Sequence, residues 1–293
     1  MTCLVRNNPC KLKMNLEKHI YTSSNSYSFL EVVKASLKGF RNSFYLANQL
    51  AKRDIKAQYR QSFLGVFWAI FPSLINSLLW IFLQSSGTIQ MPATKVPYPA
   101  FVLIGTILWG IIGECINLTT QSVNANRSII TKINFDKEAL ITLGLIKFFF
   151  NFLIKIGLII LFLVFFKIVP SVEILFFIPL LFLSIVFFVA LGILLMPISL
   201  LYNDIGRLIP IALQFLMYAT PVLYAIPHEG TMRKIMLLNP LSYIITDLRN
   251  ILTGYGLENP VFWCCGAVIT GVLTIISLVI YRVSMPILTE RMS

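Results

Sequence analysis

Three ionisable side chains lie inside long apolar stretches of this chain. A charge in such a stretch costs free energy and usually has a functional role. Glu114 lies in the stretch 98–118, and Lys147 and Lys155 lie in the stretch 139–166. A charge at the bilayer centre costs about 2.5–3.5 kcal/mol on insertion scales. Lys147 is near enough to the end of its stretch to reach the membrane surface. Lys155 is more central, so we expect it to face other helices or a pore and to meet a phosphate or Glu114.

No motif for catalysis or nucleotide binding accompanies these charges. The sequence has no Gly-Lys pair and therefore no Walker A loop, and the HExxH, GxSxG and GxGxxG patterns are absent. The two histidines are far apart, and the five cysteines show no metal-ligand spacing. We therefore predict a chain with no catalytic residues that binds neither a cofactor nor a metal.

Six long apolar stretches must position the three charges. A helix of about 20 apolar residues crosses the hydrocarbon core and satisfies its own backbone hydrogen bonds there. The chain is 57% hydrophobic and only 12% charged, whereas soluble domains carry about 25% charged residues. We therefore predict an all-α membrane protein with six transmembrane helices per chain, in one domain over 63–283. The predicted spans are 63–83, 98–118, 139–166, 174–201, 208–226 and 261–281.

The basic residues predict which way the chain crosses the membrane. Residues 1–62 hold eleven Lys and Arg against three acids. An orientation with both termini inside puts seventeen basic residues on the inner side and five on the outer side, which is the bias expected of membrane proteins. Residues 1–40 and 284–293 are then cytoplasmic tails. The net charge of +12 reflects this topology beside anionic lipid rather than nucleic-acid binding.

A helix with a basic edge is predicted before the first span, over 41–62. Lys52, Lys56 and Arg60 recur every four residues beside an apolar strip, as in helices that lie along a membrane surface. Asp54 falls close to that strip, so we expect it to pair with a basic neighbour or a partner protein. The alternative is an ordinary solvated helix leading into the first span.

Two connecting segments also carry a pattern. The inner loop 119–138 is polar with embedded Ile and Phe residues, which is typical of a short helix that presents apolar side chains to a soluble partner. The outer segment 227–260 is too charged to span and too apolar for a free loop. We predict two short re-entrant helices there, which dip into the outer interface and break at Asn239-Pro240.

Four groups of residues together resemble a known family over about residues 40–285. The groups are Lys52-Arg53-Asp54-Ile55-Lys56 with Tyr59-Arg60, Ser62, Leu64-Gly65, Trp68 and Pro72; Gly105 and Trp109 followed by Asn126 to Phe135; Pro221-Val222 with Tyr224; and Asn239-Pro240-Leu241 followed by Arg249. This pattern resembles the membrane subunits of type-2 ABC exporters. Within that family it is most similar to permeases that export polysaccharides such as O-antigen, capsule or teichoic acid.

The resemblance implies an assembly in the bacterial cytoplasmic (inner) membrane. Two copies of the chain would form a twelve-helix pore, and each copy would sit on a separate nucleotide-binding subunit that uses ATP and Mg. The cargo would be a glycan on an undecaprenyl-type lipid. Membrane lipid would be a further partner of the assembly. Residues implied to couple to the ATPase subunit are Arg127, Ile130, Lys132, Ile133 and Phe135, together with the interface-helix residues Lys52, Arg53, Asp54, Lys56, Tyr59 and Arg60. Asn239, Pro240 and Arg249 would mark the external segment.

A pore for a long glycan should offer weak, repeated aromatic contacts, because a tight pocket would stall the polymer. Candidate lining residues are Phe67, Trp68, Trp109, Phe152, Lys155, Tyr218 and Tyr224. Aromatic side chains also collect at lipid-facing and interfacial positions for unrelated reasons. Two other functions stay open: a type-2 ABC permease for drugs or lipids, and an ion-coupled carrier or flippase without an ATPase partner.

Overall fold

The computed structural model describes residues 29–60, 62–63, 65–88, 94–130, 132–133, 135–227 and 229–292. Every regular element in these ranges is a helix, which confirms the predicted all-α class. The predicted tail 1–40 lies outside the described residues up to residue 28. The helices are α1 (Phe29–Arg60), a 3₁₀ helix (Gly65–Ala69), α2 (Phe71–Ser85), α3 (Tyr98–Ala125), α4 (Arg127–Ile130), α5 (Ala139–Phe165), α6 (Ile174–Leu201), α7 (Asn203–Tyr218), α8 (Thr231–Leu238), α9 (Pro240–Thr253) and α10 (Pro260–Met292).

Helix α3 is the centre of the bundle and packs against α2, α5, α6, α7 and α9. Two glycines on its neighbours allow this close packing. A Cβ added at Gly144 of α5 would lie 2.7 Å from the Leu118 side chain, and one at Gly192 of α6 would overlap the Ile116 carbonyl. Small residues at such contacts let helix backbones approach closely in membranes. As a result α3 is the most buried of the long helices.

Within the described ranges, four helices are long and apolar enough to cross a membrane: α3, α5, α6 and α10. The other two predicted spans are built differently. The stretch 63–83 consists of the short 3₁₀ helix followed by the 15 residues of α2. The stretch 208–226 is helical only to Tyr218, where the 16-residue helix α7 ends. Pro221 follows this end, and a proline disfavours helix in the residue before it.

Three helices extend past their predicted ends. Helix α1 begins at Phe29 rather than at residue 41. Helix α3 continues to Ala125, which removes the first part of the predicted loop 119–138. Helix α10 continues to Met292, so the predicted tail 284–293 is helical through that residue. The apolar spacing explains the last extension, because Tyr281, Met285 and Leu288 are all buried on one side of α10.

The break predicted in the outer segment is confirmed. Helices α8 and α9 meet at Asn239, whose side-chain oxygen accepts a hydrogen bond from the Leu241 N–H at 3.0 Å and caps α9. Pro240 occupies the first position of α9, where its missing N–H costs nothing. Gly254 ends α9 in the left-handed conformation with φ of 85°, as expected of a C-terminal glycine.

Candidate functional site

A buried ion pair joins two central helices of the bundle. Lys155 of α5 donates from Nζ to Glu114 Oε2 of α3 at 2.6 Å and to the Gly110 carbonyl at 3.0 Å. The Lys155 side chain is 7% exposed and that of Glu114 is 21% exposed. Of the two contacts expected for Lys155, the structure therefore makes the one to Glu114. A charge pair among apolar helices is stabilised by mutual attraction and by hydrogen bonds to its remaining atoms.

Two further polar side chains extend this pair towards α1. Asn151 donates from Nδ2 to Glu114 Oε1 at 2.5 Å, and Tyr59 of α1 donates its hydroxyl proton to Asn151 Oδ1 at 3.0 Å. We call Tyr59, Asn151, Glu114 and Lys155 the polar chain. It connects α1, α5 and α3 through consecutive hydrogen bonds within the bundle.

The middle of the apolar strip of α1 packs on protein. Ala47 and Ala51 are fully buried against Ala139 and Leu143 at the start of α5. Phe44 of the same strip is 56% exposed, so contact of α1 with the membrane surface stays a prediction. Asp54 is paired as expected: Arg53 contacts it at 2.7 Å and Lys147 lies 3.9 Å from its other oxygen.

The basic edge of α1 also meets the loop that follows α3. Arg53 donates from Nη2 to Asn126 Oδ1 at 2.8 Å, and the Asn126 side chain is fully buried. The loop's partly buried Ile129 and Phe135 pack on the same cluster as α1. Interface helix and inner loop therefore form one unit, which the sequence had predicted only as two separate segments. Lys52, Lys56 and Arg60 remain exposed along this unit.

Only some of the inner-loop residues that were predicted to couple to an ATPase subunit are exposed on the surface of this chain. Arg127, Lys132 and Ile133 are exposed, and the Ile133 side chain is 56% exposed. Phe135 is half-buried under the Lys137 ammonium group, 4.5 Å from its ring centre. Ile130 is only 3% exposed. Ile130 belongs to the bundle core and attaches α4 to it, and its contact with a partner stays a prediction.

Glu138 fixes the end of the inner loop to α10. Arg282 of α10 donates from Nη1 to Glu138 Oε1 at 2.5 Å, and the Tyr281 hydroxyl donates to the Lys137 carbonyl at 2.6 Å. Gly39 of α1 lies against the same carboxylate, since a Cβ added there would sit 2.8 Å from Glu138 Oε2. Three elements thus converge on one buried acid that sequence reasoning did not select.

At the opposite end of the bundle, Asn239 and Arg249 of the outer segment contact the backbone corner at residues 219–221, which follows α7. Asn239 donates from Nδ2 to the Ala219 carbonyl at 3.1 Å and to Thr220 Oγ1 at 3.0 Å. Arg249 of α9 donates from Nη1 to the Pro221 carbonyl at 2.8 Å. Two signature groups that are distant in sequence therefore meet at one backbone corner.

The Arg249 side chain is buried at this corner, and its guanidinium group lies against an aromatic ring. Its guanidinium carbon lies 3.5 Å from the centre of the Phe101 ring, which is a cation–π arrangement. Among the described residues no carboxylate lies within ion-pair distance of it. Burial lowers the pKa of Arg249 to about 9, which still leaves it charged at neutral pH. Gly105 of α3 faces the same corner, and a Cβ there would lie 2.5 Å from the Val222 carbonyl oxygen.

Asp247 holds the other side of α9. It is fully buried and accepts from Trp263 Nε1 at 2.8 Å and from Asn259 Nδ2 at 3.1 Å. Burial raises the pKa of Asp247, and the Trp263 and Asn259 hydrogen bonds act in the opposite direction. Its role is to attach α9 to the start of α10. An acid between the apolar residues Ile244-Ile245 and Leu248 is the sequence signal that could have identified it.

The predicted pore residues divide by exposure. Phe67, Trp68 and Tyr218 are 42%, 50% and 37% exposed and are free to contact another molecule. Trp109 is 7% exposed because it lies on the central helix α3. Lys155 is also buried, and pore lining by these two residues stays a prediction. Phe152 and Tyr224 are half-buried.

Asn151 was missed at the sequence level although its signal was present. It interrupts the run Phe148 to Phe152 with a single amide, and a polar group inside a span needs a hydrogen-bonding partner. Its partners come from α3 and α1, which are distant in sequence. Only the spatial arrangement of the three helices shows that it joins Tyr59 to Glu114.

Comparison with known proteins assigns the chain to a family. The ABC-2 type transporter family matches residues 45–253. Since this range exceeds half of the sequence, the chain belongs to that family, and the predicted membership among type-2 ABC membrane subunits is confirmed.

Individual relatives are similar over most of their length. The O-antigen export system permease protein RfbA of Myxococcus xanthus is 25% identical over 205 residues, which cover 69% of this chain and 78% of the relative. A protein of the same name from Klebsiella pneumoniae is 26% identical over 255 residues, covering 84% of this chain and 96% of the relative. A second protein of that name from Klebsiella pneumoniae is 25% identical over 213 residues.

Proposed function

We propose that this protein is the membrane permease subunit of an ATP-driven exporter that moves a lipid-linked polysaccharide across the bacterial inner membrane. The observation that carries the proposal is the similarity, across most of the chain, to relatives named as O-antigen export permeases. The cargo is a glycan of the O-antigen, capsule or teichoic-acid kind on an undecaprenyl-type lipid. ATP and Mg act in a partner subunit, since this sequence has no Walker A loop.

The proposal includes six membrane crossings with both termini inside. Helix α2 has 15 residues and the 3₁₀ helix before it has five. At rises of about 1.5 and 2.0 Å per residue, they reach about 32 Å together. The hydrocarbon core is about 30 Å thick, so this pair is long enough to form the first span. Helix α7, with 16 residues, reaches about 24 Å, and residues 219–226 extend it.

A labelling experiment tests this topology. In a variant whose native cysteines are replaced, Ser86→Cys puts one thiol in the exposed turn after α2. We expect a membrane-impermeant maleimide to label it from outside intact cells, because the first crossing places this turn on the outer surface. A cysteine at exposed Asn203 is the matched control and should react only after the cells are permeabilised. Protection of Ser86→Cys in intact cells would contradict six spans.

Two copies of the chain form the pore in this proposal. Helices α2 and α7 approach each other at one aromatic contact, where the Trp80 and Tyr218 ring centres are 6.3 Å apart. Both helices leave apolar side chains exposed, including Leu78 and Phe82 of α2 and Phe215 of α7. We place the second copy against this face, where the exposed aromatic residues can contact a passing sugar chain.

Coupling to ATP hydrolysis is proposed to enter through the joined unit of α1 and the inner loop. The exposed side chains Arg127, Lys132 and Ile133 face the cytoplasm in the proposed orientation. Behind them, Arg53 and Asn126 connect the loop to α1, and the polar chain connects α1 to α3. A push on the loop by the ATPase subunit would therefore reach the centre of the bundle without passing through lipid.

Copurification tests the partnership. A tagged copy of the chain, extracted in mild detergent from its native membrane, should retain a nucleotide-binding subunit in equal amount and hydrolyse ATP. Recovery of the permease alone, in active form and responsive to an ion gradient, would favour the alternative of an ion-coupled carrier or flippase. A drug or lipid permease would also retain the ATPase subunit, so it is distinguished by the location of the glycan in cells that lack this gene.

A further inference from the structure

A cavity separate from the polar chain lies where the ends of α6 and α10 meet α4 and the start of α7. Its volume is about 320 Å³, which falls in the usual range for small-ligand pockets, about 300–1,000 Å³. The lining residues are Arg127, Leu200, Leu201, Asn203, Leu288 and Arg291.

The cavity combines positive charge with an apolar wall. Arg127 and Arg291 come from different helices and supply two guanidinium groups, and Arg127 also donates from Nε to Asn124 Oδ1 at 3.1 Å. No carboxylate of a described residue lines the cavity. The neighbouring acids in the sequence, Asp204 and Glu290, are outside the lining. Guanidinium groups bind phosphate oxygens through paired hydrogen bonds. The site therefore suits an anion of the phosphate type rather than a neutral sugar or a metal ion.

The leucines show how a ligand with an apolar tail would fit. Leu288 and Leu200 are 2% and 9% exposed and form the inner wall, whereas Leu201 is 42% exposed at the end of α6. Both α6 and α10 are long enough to cross a membrane. In the orientation of the proposed function, on which this step rests, their ends here lie at the inner leaflet. Basic pockets between membrane helices on that side bind anionic lipid headgroups.

We propose that this cavity binds the phosphate headgroup of an anionic membrane lipid, with the start of its acyl chain against Leu201. Arg127 belongs to α4 of the inner loop and Arg291 to the last turn of α10. A phosphate held between them connects the coupling loop to the last span. The bound lipid would thereby stabilise the loop in the position that the ATPase subunit meets.

Lipid binding to the purified full-length chain tests the proposal without any export assay. The chain is placed in neutral nanodiscs containing increasing phosphatidylglycerol, and the bound lipid is counted by native mass spectrometry. We expect Arg291→Gln to weaken phosphatidylglycerol binding about fivefold, which is the effect of one basic residue near an anionic headgroup. Arg207→Gln is the matched control, since Arg207 is exposed on α7 and does not line the cavity; its effect should stay below about twofold.

A second arm identifies the source of the phosphate. A polyprenyl diphosphate that displaces phosphatidylglycerol from the wild-type chain, but not from Arg291→Gln, would show that the site accepts the headgroup of a lipid carrier. Failure to displace it would show that the site selects phospholipid. Equal losses in both arginine variants would reduce the effect to general surface charge and overturn the proposal. Unchanged binding together with release of the ATP-binding subunit by Arg291→Gln would make the cavity a protein-docking site and also overturn it.

Discussion

Replacing Lys155 by methionine removes the charge at the end of the polar chain and leaves Glu114 without its ion-pair partner. The pair is 2.6 Å apart, and the two side chains are 7% and 21% exposed. Removing one partner of a buried ion pair costs about 3–5 kcal/mol. Because Glu114 is partly accessible and keeps its hydrogen bond from Asn151, we expect the lower end, about 3 kcal/mol of unfolding free energy.

The double variant with Glu114→Gln separates the ion pair from simple loss of packing. Removing both charges leaves no unpaired ion, so the loss should be at least about 2 kcal/mol smaller than the sum of the two single losses. Unfolding of the purified chain in mixed detergent micelles, titrated with a denaturing detergent, measures all three variants. Lys147→Met is the control, because Lys147 is 3.9 Å from Asp54 and 26% exposed and should cost less than about 1 kcal/mol. Additive losses at Glu114 and Lys155 would refute the reasoning.

Three further predictions concern helix packing, the inner loop and the polar chain. Gly105→Ala should destabilise the chain by about 1–3 kcal/mol because its new methyl group meets a carbonyl oxygen at 2.5 Å. The control is Gly271→Ala, whose methyl group meets nothing within 4 Å and should not lower the thermal unfolding temperature. Equal effects of the two substitutions would rule out the close packing at Gly105. Charge reversal at both Arg127 and Lys132 should release the ATPase subunit on copurification or uncouple its ATP hydrolysis, whereas reversal at Lys167 on the opposite side should do neither. An intact complex with normal activity would refute this placement of the coupling loop.

A separate variant tests whether the polar chain carries the coupling itself. Tyr59→Phe removes the hydroxyl that donates to Asn151 at 3.0 Å and keeps the ring that packs beside Phe150. We expect ATP hydrolysis to persist while glycan export per ATP falls, because α1 then loses its hydrogen-bonded connection to α3. Export and hydrolysis that fall in parallel would indicate a general loss of folded protein instead.

Uninterrupted apolar composition was enough to predict some elements closely. The span 174–201 has the same bounds as α6, since this run holds no Asp, Glu, Lys or Arg and lies between Glu173 and the pair Asn203-Asp204. The break at Asn239-Pro240 was equally visible, because a proline preceded by an asparagine is a strong start signal for a helix. The irregular backbone of the predicted spans 63–83 and 208–226 was not predicted. Gly65, with φ of +49°, begins a 3₁₀ segment, and hydropathy averages do not detect such a change.

The functional residues that depend on tertiary packing could not be predicted. Trp109 and Ile130 were predicted as contact residues from their sequence context, yet both are buried. Trp109 is buried because α3 is central, and Ile130 is buried because α4 is a single turn attached to the core. The Lys155–Glu114 pair could be anticipated, since few charges occur in the spans. Its continuation to Tyr59 required knowing that α1 packs along α5.

Locating the cell's lipid-linked polysaccharide in a strain that lacks this gene tests the central claim most directly. The glycan is labelled once on intact cells and once after the inner membrane is permeabilised, and a strain carrying the gene on a plasmid is the control. Our account predicts that the glycan disappears from the surface and accumulates on the inner side of the membrane, where permeabilisation reveals it. Surface glycan at the normal level would contradict the account and would favour a drug or lipid permease.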